Sequence, residues 1–278
     1  MGRKLFCELS PFTYRISVRK EIIKRSMKDL FSSVKFAHQK SAELLPVVIK
    51  THKSLIRRKL HNVDLELQEN KAKGLAIAAP LVSHIVINPG ETFSFWRLVG
   101  RPTYKKGYRN GVTITNGRVH PGIGGGICQF SNLIHWLILH TDLVIIEHWH
   151  HDNMDLFPDF KRQIPFGTGT SISYKNLDYR FKNNADQPYQ LIIYTTDEYL
   201  CGEIRSTYAL PVKVHIKEEE AYFYQKDEIV YRHNKIYRQV NDKKTGNILE
   251  NKLLAENHAE VMYDAVLIDK SKFRNGTN

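Results

Sequence analysis

Three consecutive glycines at positions 124–126 constrain the fold of this chain more than any other local feature. A glycine run costs conformational entropy on folding, so it predicts unusual backbone dihedral angles or the close approach of another group. The residues that follow are apolar at steps typical of a buried helix. They are Ile127, Phe130, Leu133, Ile134, Leu137 and Ile138. The sequence therefore predicts a central helix that follows a glycine loop and carries Cys128 in its first turn.

The composition is that of a folded globular protein, because 42% of the 278 residues are apolar and 25% are charged. Most of the net charge of +12 lies in the first 60 residues, which hold 15 Lys and Arg but only four Asp and Glu. Three cysteines are too few for a disulfide framework. The apolar stretches are shorter than the roughly 20 residues that a membrane span needs. We therefore expect a cytoplasmic protein that can lie at a membrane surface.

The basic N-terminal region has apolar residues at helical spacing over residues 17–40, which predicts a helix with one apolar stripe. Its other face would be cationic. Two readings of this region stay open: a solvated surface helix, or a contact of residues 1–60 with an anionic membrane surface. Nucleic acid is not an expected partner, because no base-stacking aromatic residues are interleaved with the basic ones. The sequence does not predict the oligomeric state.

Short strands bounded by Gly, Pro, Asn and Asp are predicted over much of the remaining chain. The predicted fold class is α+β, with a mixed or antiparallel sheet packed on the central helix and a C-terminal antiparallel β extension. The expected divisions are a basic helical segment (1–60), a core (61–204), a β-rich subdomain (205–265) and a frayed tail (266–278).

Several secondary-structure elements are specific enough to test. The core is predicted to contain a helix over 70–83 and strands at 84–88, 143–147, 170–174, 179–182 and 189–194. In the C-terminal part, two strands flank His233-Asn234, which predicts a tight hairpin at that pair. Lys244-Thr245-Gly246 predicts another turn.

Cys128 is the candidate nucleophile. At a helix start, unpaired backbone N–H groups and the positive end of the helix dipole favour a thiolate. We therefore expect the pKa of Cys128 to lie below the ordinary value of about 8.5. The alternative is a structural role, because most free cysteines behave as small buried hydrophobic residues. The local sequence does not choose between the two.

A thiol nucleophile needs a base, and three histidines follow the predicted strand at 143–147. Alternation along a strand directs one pair to each side: His148 with His150, and Trp149 with His151. The same histidines, Asp152 and Cys128 could also form a zinc site with an open position. Because histidine doublets on surface strands are common in a chain with 13 histidines, we expect no metal and no other cofactor.

Four groups of residues form a recognisable pattern along the chain: Pro89–Phe95, Gly124–Gln129 with Ser131–Leu133, Glu147 followed by His151, and Asp178 with Asn183, Asn184 and Asp186. Together they resemble the VanW family of vancomycin B-type resistance accessory proteins. The resemblance covers roughly residues 65–265, and its Gly-Gly-Gly-x-Cys-Gln core is specific. It implies a role in glycopeptide resistance and cell-wall biology, and some exported members of the family resemble L,D-transpeptidases.

The resemblance implies that Cys128 is the acyl-accepting nucleophile and His151 its base. We assign Gln129 to the same catalytic group. The expected substrate-binding residues are Gly124, Gly125, Gly126, Ser131 and Trp149. The chain departs from the family at Gly169, where many members have an aspartate. If that aspartate orients the histidine, one of three other carboxyl groups must replace it: Asp152, Asp155 or Asp178.

Two functions remain open. The first is a cysteine acyltransferase of the L,D-transpeptidase kind, acting on D-amino-acid-containing peptides of peptidoglycan metabolism. The second is a non-catalytic module that binds a cell-wall precursor or a partner protein around the glycine loop. The expected small-molecule partner in either case is a peptidoglycan precursor or muropeptide.

Overall fold

A computed structural model describes residues 5–57, 65–115, 118–150, 154–159 and 162–274. The helices are α1 (Pro11–Leu30), α2 (Leu65–Val82), α3 (Phe95–Val99) and α4 (Cys128–Ile138). The first eight strands are β1 (Val47–Leu55), β2 (Ile85–Ile87), β3 (Thr92–Ser94), β4 (Asn110–Thr115), β5 (Arg118–Ile123), β6 (Val144–Glu147), β7 (Met154–Asp155) and β8 (Arg180–Lys182). The others are β9 (Tyr189–Thr195), β10 (Tyr199–Ser206), β11 (Val212–Lys226), β12 (Ile229–Asp242) and β13 (Ile248–Val261). The predicted α+β class is confirmed.

The main sheet has the order β1-β10-β9-β2, and all its neighbouring strands are antiparallel. Helix α4 packs on this sheet, where Gly202 of β10 lies beneath the side chains of Leu133 and Leu137. A Cβ at Gly202 would come within 2.9 Å of Leu133, so the glycine lets the helix approach the sheet closely. Helix α2 packs on the same sheet, and the two helices bury their apolar faces in one core.

A smaller antiparallel sheet, β3-β8-β6, extends this core. Phe93 of β3 stacks on Phe181 of β8 with ring centroids 4.6 Å apart, and both side chains are fully buried. Strands β4 and β5 form a separate hairpin that leads into the glycine run. This order places the start of α4 beside the β4–β5 hairpin.

The C-terminal sheet has the order β11-β12-β13-β7, with long antiparallel strands and a parallel contact between β13 and β7. The hairpin predicted at His233-Asn234 is wrong, because both residues lie inside β12 and pair with strands on both sides. The chain reverses instead at Asp227 and Glu228, which both have positive φ. The predicted turn at Gly246 is confirmed, and its φ of 75° is a left-handed conformation that suits glycine.

The N-terminal region differs from the expected helical segment. Helix α1 covers Pro11–Leu30, because Ser10 caps it and Pro11 occupies its first position, whereas the predicted helix spanned residues 17–40. Strand β1 then pairs with β10 and belongs to the main sheet. Two other expectations also fail: residues 170–174 form no strand, and Phe273 of the expected frayed tail packs against Phe223.

Within the residues that the structure describes, no helix combines the length and the apolar composition that a membrane crossing needs.

Candidate functional site at the start of the central helix

The glycine run is a tight turn pressed against the β4–β5 hairpin. Gly124 and Gly126 have φ of 73° and 83°, a region that other residues rarely adopt. Gly125 lies against the backbone of Gly111, and a Cβ on it would be 2.2 Å from the carbonyl carbon of Gly111. Close packing of the two backbones therefore explains why position 125 needs a residue without a side chain. The three glycines were expected to bind substrate, and their packing gives them a structural reason as well.

Cys128 is the first residue of α4, directly after this turn. The residue is partly exposed, and its Sγ lies 4.0 Å from the carbonyl oxygen of Ile172. Cys201 is only 3% exposed, in β10 of the main sheet. Cys7 is partly exposed in the N-terminal region. Among the three cysteines, Cys128 alone combines partial exposure with a place in the core of the fold.

The expected lowering of the Cys128 pKa is wrong. Burial raises the pKa of the thiol, and the smaller opposing effects of the Ile172 backbone and of its own amide do not offset this. The helix start also offers fewer free donors than expected. The amides of Gln129 and Phe130 donate to the carbonyls of Gly126 and Ile127, at 3.1 and 2.9 Å. The tight turn thus satisfies groups that could otherwise stabilise a thiolate or an oxyanion.

Gln129 and Ser131 connect α4 to its surroundings. The side-chain amide of Gln129 donates to the hydroxyl of Ser54 and to the carbonyl of Leu55, both at 2.8 Å, and so holds α4 to β1. Ser131 is fully buried, and its hydroxyl donates to the carbonyl of Cys128 at 3.0 Å. Both residues were expected to act on substrate. Their side chains hold the first turn of the helix in place, and their roles toward substrate stay predictions.

The segment at 169–172 lies along α4 and was not assigned to the site from the sequence. Asn132 Oδ1 accepts hydrogen bonds from the amide and the hydroxyl of Thr170, at 2.6 and 2.9 Å. The hydroxyl of Ser131 also contacts that of Thr170. Because Ile172 reaches the sulfur of Cys128, this segment forms one side of the site. The i+4 spacing of Cys128 and Asn132 was the signal that could have indicated it.

His148 also contacts this segment. Its Nε2 donates to the carbonyl oxygen of Gly169 at 3.0 Å, and its ring stacks on that of His135 with centroids 4.3 Å apart. His150 lies nearby, with its ring centroid 6.4 Å from that of His148. With His151 as the base, strand alternation would have sent His148 and His150 away from the helix. The structure places His148 against α4 instead, because β6 ends at Glu147 and alternation ends with it. His151 lies outside the described residues.

His135 and Tyr179 continue this cluster into the core. His135 Nδ1 and the Tyr179 hydroxyl are 3.0 Å apart. Burial and the neighbouring histidines lower the pKa of His135 well below its ordinary value, so its ring is neutral at neutral pH. His135 lies seven residues from Cys128, about 10.5 Å along the helix axis. The cluster of His135 and His148 therefore stands about two helical turns from the sulfur.

Gly169, where the resemblance implies an aspartate in many members, supplies a backbone carbonyl to His148. The two described carboxyl groups named as substitutes are used elsewhere. Asp178 accepts four hydrogen bonds in the core, and Asp155 pairs with Arg232 and Tyr263. The third candidate, Asp152, lies outside the described residues.

Trp149 is 47% exposed and lies beside the same segment. Its carbonyl accepts from the amide of Ser171 at 2.6 Å, and its indole Nε1 donates to Glu147 at 3.0 Å. The ring therefore offers an aromatic surface close to one side of the site. A substrate-binding role for Trp149 stays a prediction.

Glu147 also belongs to an ionic network that joins α1 to the core. Arg25 forms two hydrogen bonds to the Glu147 carboxylate, and Arg180 forms two to Asp29 at 2.8 and 2.6 Å. Arg180 Nε also donates to Asp178 at 2.7 Å. Burial raises the pKa of Glu147, but hydrogen bonds from Arg25 and Trp149 outweigh this and keep the net pKa low. The network fixes α1 next to the element that carries the histidines.

Comparison with known proteins supports the resemblance. A family model described as "VanW like protein" matches residues 70–205. The "Vancomycin B-type resistance protein VanW" of Enterococcus faecalis is 30% identical over 265 residues, which is 95% of this chain and 95% of that protein. The "Uncharacterized protein YoaR" of Bacillus subtilis is 30% identical over 120 residues, 43% of this chain and 38% of that protein. No solved structure matches the chain. The family match and the full-length similarity show that the chain belongs to the VanW family.

Proposed function

We propose that this protein acts in peptidoglycan metabolism connected with glycopeptide resistance, and that Cys128 is the nucleophile of a cysteine acyltransferase. The link to resistance rests on the name of the enterococcal relative, which is similar along 95% of both chains. The nucleophile rests on one observation: a partly exposed cysteine is the first residue of a largely buried helix, directly after a glycine turn. Family membership favours the same residue.

The proposed reaction begins when a base takes the proton of the Cys128 thiol, for which His151 remains the proposed residue. The sulfur then attacks a carbonyl carbon of a D-amino-acid-containing peptide. The C–N bond breaks, the amine leaves with the proton from the base, and a thioester remains on the enzyme. An acceptor amine or water then attacks the thioester and restores the thiol. This sequence gives transfer or hydrolysis from the same intermediate.

The raised pKa of Cys128 affects how this reaction can start. A thiol whose pKa is raised above its ordinary value is mostly protonated at neutral pH. Attack therefore requires deprotonation within the substrate complex, when the general base and the peptide lie together at the sulfur. We expect the free enzyme to react slowly with thiol reagents at neutral pH.

The second candidate is a non-catalytic module that binds a peptidoglycan precursor near the glycine turn. The raised pKa of Cys128 favours this function, because burial here stabilises the neutral thiol. The structural contacts of Gln129 and Ser131 favour it as well. In this function the sulfur is a small packing group, and recognition depends on surfaces such as that of Trp149.

The experiment that separates the two functions is intact-mass analysis after incubation with a muropeptide that ends in D-amino acids. We expect the wild type to gain the mass of one acyl group. The Cys128→Ser variant lacks the thiol and should form no thioester. The matched control is Cys7→Ser, because Cys7 is also partly exposed. This control should acylate like the wild type.

Binding measured on the same proteins completes the test. Equal muropeptide affinity in wild type and Cys128→Ser, with no adduct and no released amine, would identify the binding module and refute the enzyme. An adduct in Cys128→Ser that is absent from Cys7→Ser would contradict the assignment of the nucleophile.

A further inference from the structure

Three potential metal ligands lie together on the C-terminal sheet, far along the chain from Cys128. His233 of β12 pairs directly with His258 of β13, and Lys235 pairs with Glu256 two residues further along. Residues two apart on a strand project from the same face. The two histidines and Glu256 therefore share one face of the sheet.

The distances among these side chains suit a single metal ion. The rings of His233 and His258 have centroids 4.4 Å apart, and His258 Nε2 lies 3.7 Å from a carboxylate oxygen of Glu256. One ligand atom from each of the three residues lies within 4.8 Å of the other two. Ligands about 2.0–2.2 Å from zinc in a tetrahedron are about 3.4 Å apart. Closing the remaining gap requires only rotation of His258 and Glu256, whose side chains are exposed.

His233 has a buried ring nitrogen that lacks a hydrogen-bond partner within the described residues. This nitrogen is Nδ1, and the residue is only 3% exposed. A buried polar atom without a partner costs free energy, so such an atom in a native structure requires an explanation.

Glu220 of β11 lies on the Nε2 side of the His233 ring and leaves Nδ1 for the ion. One of its carboxylate oxygens lies 3.7 Å from His233 Nε2, and the other accepts from Lys235 at 2.9 Å. Glu220 has a φ of 50° next to a register shift in β11, so the local backbone directs it out of the regular strand pattern. Two carboxylates against one lysine leave a net negative charge, which favours a cation.

We propose that one Zn²⁺ ion binds to His233 Nδ1, Glu256 and His258, with water as the fourth ligand. Two imidazoles with carboxylates suit zinc better than Ca²⁺ or Mg²⁺, which prefer oxygen ligands alone. Because the ligands come from neighbouring long strands, the ion would link those strands and stabilise the C-terminal sheet. From the sequence we expect no metal, because histidine doublets are common by chance; His233 and His258 lie on different strands and form no short metal-binding motif.

The test uses tag-free protein that has been treated with a chelator, because a histidine tag itself binds zinc. Zinc is titrated in competition with a chromogenic chelator, and thermal unfolding is recorded with and without the ion. We expect one equivalent to bind and to raise the Tm. His258→Ala and Glu256→Gln should each weaken binding at least about tenfold. Both positions are exposed, so these variants should fold.

Two controls make the result specific. His215→Ala changes a histidine elsewhere in the same sheet, and Cys128→Ser removes the candidate nucleophile; both should bind zinc like the wild type. Three results would overturn the proposal. They are loss of zinc binding in Cys128→Ser, equal zinc binding by His258→Ala and the wild type, and no binding by the wild type at micromolar zinc. Zinc binding and acylation of Cys128 are separate measurements. A negative zinc titration would therefore overturn the metal site and leave the proposed function untouched.

Helix α1 has two different faces. One face of its C-terminal half joins the core through Arg25 and Asp29. The opposite face forms a continuous stripe of apolar and basic residues and has no buried residue. Its members are Phe12, Ile16, Arg19, Lys20, Ile23, Lys24 and Met27. Ile23 and Met27 are 59% and 52% exposed.

We propose that this stripe of α1 binds an anionic lipid surface. A helix with large apolar residues and flanking Lys and Arg lies in the interface of a membrane, with the basic groups near acidic headgroups. Arg19, Lys20 and Lys24 give the charge that complements such headgroups, and Ile23 and Met27 give the apolar contact. The ionic network on the other face would hold the protein body against the lipid surface.

Co-sedimentation with vesicles of phosphatidylcholine with and without phosphatidylglycerol tests this inference. We expect binding only with the anionic lipid, and loss of binding at high salt. A triple change of Arg19, Lys20 and Lys24 to Gln should weaken binding about a hundredfold, at about 1 kcal/mol for each charge. The matched control changes Lys213, Lys217 and Lys226 of β11 to Gln and should bind like the wild type.

Equal loss in both triple variants would show a nonspecific charge effect and overturn the proposal. Binding to neutral vesicles alone would also overturn it. A dimer in analytical ultracentrifugation that Ile23→Ser dissociates would instead identify a second copy of the chain as the occupant of the stripe.

Discussion

Gly125→Ala is expected to destabilise the protein by at least about 3 kcal/mol, at the upper end of the cost of overpacking. The new methyl group would lie 2.2 Å from the carbonyl carbon of Gly111 and 2.7 Å from the amide of Val112. Backbone atoms cannot rotate away as a side chain does, so the turn and the β4–β5 hairpin must separate. Urea unfolding measures the change in free energy.

Gly111→Ala tests the same contact, because its Cβ would lie 2.3 Å from the carbonyl oxygen of Gly125. We expect a similar loss of stability. Gly169→Ala is the matched control, because the nearest atoms to its Cβ are those of Asn132 at 3.8 and 3.9 Å. A Gly125→Ala protein within about 1 kcal/mol of wild type would contradict the close packing of the two backbones.

The glycine run shows what local sequence can predict. Its entropic cost indicated either unusual dihedral angles or close approach, and the structure has both. Gly124 and Gly126 have positive φ, whereas Gly125 is required by contact with Gly111. The partner in that contact is 14 residues away in the chain, and no local pattern identifies it.

The C-terminal hairpin shows where turn chemistry misleads. His233-Asn234 is bracketed by alternating apolar residues, which is the usual pattern of a tight turn. The real turn contains Asp227 and Glu228, two residues that adopt positive φ less readily than glycine. Pairing of β12 with both β11 and β13 outweighs the local preference and keeps Asn234 within the strand.

The candidate site was predicted only in part for a similar reason. The helix and its first-turn cysteine follow from apolar spacing, but the pKa of the thiol depends on the segment that covers it. Ile172 and Thr170 come from a region with no regular secondary structure, and they reach α4 through a few hydrogen bonds. Periodicity carries no information about such contacts.

Asp178→Asn is expected to cost about 3–5 kcal/mol, the usual effect of removing one partner from a buried ion pair. Asp178 is 2% exposed and accepts from four donors. They are the Ser94 hydroxyl at 2.6 Å, the Arg180 Nε at 2.7 Å, and the amides of Tyr179 and Trp96 at 2.9 and 3.0 Å. An asparagine would point a donating NH₂ group at one pair of these donors and leave the partly buried Arg180 with less opposing charge.

The effect should extend to α1, because Arg180 also holds Asp29 of that helix. We therefore expect Asp178→Asn to increase proteolysis between α1 and β1 as well as to lower the free energy of unfolding. Asp186→Asn, at an exposed carboxyl in the connection between β8 and β9, is the control and should change neither. A double-mutant cycle with Arg180→Met should give a coupling energy of about 1–3 kcal/mol. Additive effects in that cycle would mean that the two residues act independently, and the network could not then be what fixes α1 to the core.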